Sequence, residues 1–212
     1  MDEDRLNTND SSIAPGTAEA GVELSTETPL DESLPADLQV ALARFLGVDT
    51  VATLREWTGL LREIVGDGAI TIDALCLSTE ETPHRGVVGD RTYHFACFYD
   101  AVILAAIADE LVEIRTASPT GFEITARARG TEVLAVDPAD SVFSFGIDRH
   151  VEPPGETGPS LDTGYEAICP YVRAFPCSDE YHRWASGVPA PTVALPLAGA
   201  TELAAALAAN AD

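Results

Sequence analysis

The chain has 212 residues, enough for one domain with a sizeable core or a small unit joined to a larger one. Its 35 acidic side chains against 12 basic ones leave a formal charge of −23, with no lysine anywhere. A field of that sign repels phosphate backbones and the arginines are scattered, so no nucleic-acid partner is expected. The excess of acid suits a salt-adapted protein whose surface charge is screened. The longest apolar run, Ala101 to Ala108, is far short of the roughly 20 residues that cross a bilayer. The acidic start, Met1 to Asp4, has neither the basic nor the apolar region of a secretory leader. No membrane partner and a cytoplasmic location are therefore expected, and in that reducing setting Cys76, Cys97, Cys169 and Cys177 read as free thiols. Their spacing has no Cys-x-x-Cys pair, which disfavours structural zinc. Nothing in the sequence sets an oligomeric state.

In chain order, residues 1–33 are rich in Asp, Glu, Ser and Thr with few large apolar side chains, and read as a disordered acidic tail. A helical, winged-helix-like unit is expected over residues 34–80. Pro35 suits a first helical position, and Leu38, Leu42 and Phe45 recur at helical spacing until Gly47. A second helix after Asp49 or Thr50 carries Val51, Leu54, Trp57, Leu61 and Ile64 on one stripe and stops at Gly66. Ile70 to Leu77 fits either a short helix or a strand.

Residues 81–212 read as an α+β core of mostly antiparallel sheet with packed helices. Val87 and Val88 enter a Gly89-Asp90 turn, and Arg91 to Ala96 is the return strand of a hairpin. Cys97 to Ala108 is expected to be a buried helix, followed by strands at Leu111 to Thr116, Phe122 to Arg127, Glu132 to Val136 and Val142 to Ile147. In the second of these, Phe122, Ile124 and Ala126 alternate with Glu123, Thr125 and Arg127, as in a sheet with one wet face. Glu152 to Ser160 is a Pro/Gly loop. Ala167 to Phe175 reads as a strand, Ser178 to Ser186 as a helix capped by Ser178, Thr192 to Leu195 as a strand, and Gly199 to Asn210 as an Ala-rich helix. There is no repeat, P-loop, G-x-G-x-x-G or G-x-S-x-G element.

Two places combine a thiol with unusual context. Cys97 and Asp100 are three residues apart, so a helix beginning near Cys97 puts them on one face. A helix N-terminus also favours a thiolate. Cys169 opens or interrupts a segment just after the Pro/Gly loop. Inert packing is the ordinary fate of a cysteine, and Cys76, within the apolar run Ile72 to Leu77, reads that way. Cys177 reads as packed or surface rather than as an accessory relay thiol. His84, His94, His150 and His182 lack ligand spacing and read as structural or solvated.

The same residues carry a resemblance. Thr82-Pro83-His84, then Gly89-Asp90-Arg91-Thr92-Tyr93, then Cys97-Phe98-Tyr99-Asp100 resemble the segment of the organomercurial (alkylmercury) lyases that leads through a hairpin to their first catalytic cysteine and an aspartate. Cys169-Pro170-Tyr171-Val172-Arg173-Ala174-Phe175 is similar to their second cysteine segment, and Trp184-Ala185-Ser186 to a Trp-Ala-Ser further on. The resemblance covers about residues 35–209. Pro170 stands where those enzymes often have another cysteine, and His94 and Phe95 where they have small and Trp residues. The resemblance implies cleavage of carbon–mercury bonds by protonolysis, giving a hydrocarbon and Hg(II). Cys97 and Cys169 would hold the mercury, as a soft metal prefers, and Asp100 would take a thiol proton and pass it to the departing carbon. It implies no organic cofactor, an organomercurial substrate, and low-molecular-weight thiols or a mercuric reductase as acceptor of the ion. The reading from a different class is a non-catalytic thiol-based mercury or soft-metal binding protein or regulator on the same scaffold, with Ser33 to Ile70 as an interaction module.

Overall fold

A computed structural model describes residues 21–25, 27–65, 70–108, 110–155 and 158–208. Residues 1–20 of the expected acidic tail lie outside them. From residue 21 the expectation of a tail is corrected. Strand β1 (Val22–Glu23) pairs in parallel with a strand near the end of the chain, and Leu24 and Leu30 are only 4% and 1% exposed. Two apolar side chains and one ladder are enough to tie down a segment whose overall composition is polar.

Helix α1 (Ala36–Leu46) buries Leu38, Leu42 and Phe45 as its spacing requires, with Pro35 as the residue before the first turn and Gly47 as the left-handed stop. Helix α2 (Leu54–Val65) begins later than Asp49 or Thr50. Its start is set by Thr53, whose hydroxyl accepts the Glu56 N–H (3.1 Å), while the Glu56 carboxylate accepts the Ala52 N–H (2.7 Å). The ambiguous stretch after it is a single 3-10 turn, Ile72–Ala74, and Leu77 then bridges to Phe95. Among the described residues, that bridge is the one β feature of residues 34–80, and a two-stranded wing is not seen there.

Strands β2 (Arg85–Val88) and β3 (Arg91–His94) form the expected hairpin, with Gly89 at φ 56° where a side chain is disfavoured. Helix α3 (Tyr99–Ile107) follows, then β4 (Val112–Ala117), β5 (Glu123–Ala128), β6 (Ala135–Asp137) and β7 (Val142–Gly146). The segment read as a strand over Ala167 to Phe175 is corrected. Helix α4 (Leu161–Ile168) ends in a 3-10 turn, Cys169–Tyr171, and only Ala174–Phe175 is strand, β8. A reciprocal cap between Ser160 and Thr163 starts that helix, and Pro170, which cannot donate to a ladder, sits in the turn. Helix α5 (Ser178–Ala185) has Cys177 rather than Ser178 at its cap position; β9 (Thr192–Pro196) and α6 (Ala200–Ala208) complete the described elements.

The fold is α+β. Strands β3-β2-β4-β5-β6 form an antiparallel sheet, and β1-β9-β7-β8 a mixed one in which only β1 runs parallel to its neighbour. In β5 the buried Ile124, Ala126 and Ala128 alternate with outward Glu123 and Arg127, whereas every residue of the central strand β7 is buried. Helix α3 joins the two sheets. It packs on β2, β4 and α6, and the Tyr99 ring at its start stacks on Phe143 of β7 at 5.5 Å. Gly86 in β2 allows the close approach, since a Cβ there would lie 2.9 Å from Leu104 of the helix. One apolar cluster runs from Leu24 through α1, α2 and both sheets to Ala204.

Candidate active site

The start of α3 carries the first two groups. Cys97 is 3% exposed, just before the helix, and Asp100 is 5% exposed in its first turn. The hairpin brings them there through a local clamp. The Thr82 hydroxyl lies 2.9 Å from the His84 carbonyl and 2.8 Å from the Phe95 carbonyl, and the Phe95 N–H donates to His84 (2.9 Å). Tyr99 anchors the helix from the other side, its hydroxyl donating to the Ala200 carbonyl at 2.8 Å.

The third group arrives from the end of α4, held against the other sheet. Ser144, fully buried in β7, donates its hydroxyl to the Tyr171 carbonyl (2.8 Å) and accepts the Arg173 N–H (3.0 Å). These bonds pin the 3-10 turn that opens with Cys169, and the Val172 N–H closes that turn on the Cys169 carbonyl at 3.3 Å. The Cys97 thiol reaches across to the Val172 carbonyl, 3.9 Å away. Cys169 and Cys97 thereby face one another.

The electrostatics follow from burial and from negative neighbours. Burial raises the Asp100 carboxyl from 3.8 to about 6, opposed by the hydrogen bond that the Cys76 N–H donates to it. The Cys169 thiol is held far above the usual thiol range, first by hydrogen bonding to Cys97, then by burial and by the negative charge available on Cys97, Asp100 and Cys76. Tyr165 of α4 is also raised, chiefly by burial and then by Cys76 and Asp100, and its hydroxyl donates to the Ala74 carbonyl at 2.5 Å. The Cys169 thiol and the Tyr165 hydroxyl therefore keep their protons at neutral pH.

Two members of the cluster were missed by the sequence. Cys76, read as a core residue, is half-buried beside Asp100, Cys97, Tyr165 and Cys169, and burial followed by the charges of Asp100 and Cys97 raises its thiol to about 11. Its carbonyl accepts the Ala96 N–H at 2.9 Å, a long-range pairing with no local signature. Tyr165 lies on α4, whose Ser160-x-x-Thr163 cap was the available signal. Among the described residues, no three His, Cys, Asp or Glu side chains are already gathered as a metal cage, so the thiols form a pair and a neighbour rather than a preformed three-ligand site.

The family model described as MerB, alkylmercury lyase, matches residues 77–209, more than half of the chain. The chain belongs to the alkylmercury lyase family. It is thus an organomercurial lyase. A solved structure, the mercury-bound form of MerB2, is similar at 14% identity and a TM-score of 0.47, covering 82% of this chain and 91% of that one. No curated protein matches. No described helix is long and apolar enough to cross a membrane.

The remaining segments of the lyase resemblance have packing roles. His84 is buried with Nδ1 2.7 Å from the Thr116 hydroxyl, and burial followed by the Arg173 charge lowers it to about 4, so it stays neutral. Trp184 tilts over Phe175 at 5.2 Å, Ala185 is buried and the Ser186 hydroxyl donates to Arg183 at 2.8 Å, which backs the β8 edge next to the Cys169 turn. Cys177 stands at the start of α5, beyond β8, and no described interaction joins it to the other three cysteines of the lyase.

Proposed function

We propose that the lyase cleaves carbon–mercury bonds with Cys97 and Cys169 as mercury ligands and Asp100 as the proton carrier. The observation that carries the reading is the meeting of two thiols from distant segments, one before α3 and one at the end of α4, beside one buried carboxyl. Mercury(II) is soft and prefers sulfur. An organomercurial R–Hg–X exchanges X for the Cys97 sulfur, and X leaves with the thiol proton. Cys169 then adds to the metal, and its proton passes to the Asp100 carboxylate. Two sulfur donors enrich the metal and weaken its bond to carbon. Asp100 returns the proton to that carbon, which keeps the bonding electron pair and leaves as R–H. Hg(II) is left between Cys97 and Cys169, and two external thiols, or a mercuric reductase, finally take it and restore both protons.

The carboxyl is suited to both halves of this task. With a value near 6 it is about one-tenth protonated at neutral pH, so it neither holds a proton too tightly to give nor too weakly to take. The sequence of steps balances without an organic cofactor. Reducing thiols are needed for release, which fits a cytoplasmic setting.

The test is direct. Purified, reduced protein incubated with a phenylmercury salt and excess monothiol should release benzene, measured by gas chromatography, over repeated turnovers. Cys97→Ser and Cys169→Ser should each stop it. Stoichiometric mercury uptake with no hydrocarbon would instead support a binding protein and sink this mechanism.

A further inference from the structure

We propose that Cys76 is a third mercury-handling thiol, which accepts Hg(II) from Cys97 by exchange across the shared ligand Cys169 and carries the ion toward solvent. This rests on the mercury reading above. Cys76 lies one residue before the stretch matched by the family model. Its place in the cluster is built rather than incidental. Its carbonyl is bound by Ala96, its N–H is bound by Asp100, and its thiol is placed beside Tyr165 and Cys169. Tyr165 is in turn fixed to the Ala74 carbonyl, two residues before Cys76.

Exposure sets the direction. Cys97 is 3% exposed and its ion is out of reach of a bulky external thiol, whereas Cys169 and Cys76 are both half-buried. Hg(II) needs only two sulfurs at a time, so no three-thiol cage is required. In the exchange, the Cys76 sulfur bonds to mercury while the Cys97–mercury bond breaks, and the Cys76 proton moves to the Cys97 sulfur. Asp100 lies beside Cys76 and three residues after Cys97 at the start of α3, where it can carry that proton. The ion is then bound by Cys169 and Cys76, the two members an incoming thiol can reach.

The experiment uses the full chain, reduced and anaerobic, loaded with one equivalent of mercuric chloride and challenged with a monothiol. Retained mercury is counted by mass spectrometry, and each cysteine is scored by iodoacetamide alkylation. Cys97→Ser should still retain the ion, with Cys76 and Cys169 protected and Cys177 alkylated. Adding Cys76→Ser should lower retention by more than about 10–100-fold, the scale for losing only an outer-shell partner of a metal, and adding Cys177→Ser instead should change nothing. Alkylation of Cys76 in mercury-loaded Cys97→Ser at the unloaded rate overturns the proposal, as does equal retention without Cys76. If the double variant does not fold, the alkylation pattern of Cys97→Ser decides alone. Benzene release by the unsubstituted enzyme is scored in parallel and bears on the lyase mechanism only, so the two readings fail separately.

Discussion

Replacing Asp100 with Asn removes the titrating group while keeping its volume and an oxygen able to accept the Cys76 N–H. A carboxyl whose folded pKa lies above its unfolded value favours the fold in its protonated form. The contribution of Asp100 is therefore complete below pH 3.8 and is lost as the pH rises through about 6. Raising the group from 3.8 to about 6 corresponds to about 3 kcal/mol, and little solvent screening reduces it, because the residue is 5% exposed. Urea denaturation of both proteins at about pH 4 and about pH 8 isolates this group, since every other titration cancels in the difference. Asp100→Asn should gain up to about 3 kcal/mol relative to the unsubstituted enzyme between those two conditions, while losing hydrocarbon release. A stability difference that is the same at both pH values would show that the carboxyl is not desolvated, and the argument for it as proton carrier would lose its physical basis.

Ser144→Ala leaves the part-buried Arg173 N–H without its hydroxyl acceptor and frees the Tyr171 carbonyl. The expected cost is about 1–3 kcal/mol, read from denaturation midpoints, together with slower benzene release because the Cys169 turn is no longer held on β7. His84 acts with the opposite sign to Asp100. Burial lowers its value from 6.5 to about 4, so the stability it contributes is present above 6.5 and is lost as the pH falls toward 4. His84→Gln should flatten that part of the acid limb of a thermal-melt series, and an unchanged limb would mean the ring is solvated.

Much of the fold was legible because its signals are local. The 3.6-residue spacing of Leu38, Leu42 and Phe45, the Gly89-Asp90 turn and the alternation along β5 each depend on neighbours within a few positions. The errors came where a long-range partner overrode composition. A polar segment was ordered by Leu24 and Leu30, and the apolar run before Phe175 was bent into a helix end by the Ser160 cap and Pro170.

The sequence by itself determined the chemical inventory: four thiols, an aspartate three residues after one of them, the hairpin that precedes it, and an acidic surface. Covalent order and local spacing carry all of that. Which thiols meet was decided only in three dimensions. Cys97 and Cys169 stand 72 positions apart and are joined by Ser144 and Val172, and Cys76 enters the same cluster through its pairing with Ala96. The tertiary structure also set the proton affinities, because the shift of Asp100 to about 6 comes from burial that no linear pattern encodes.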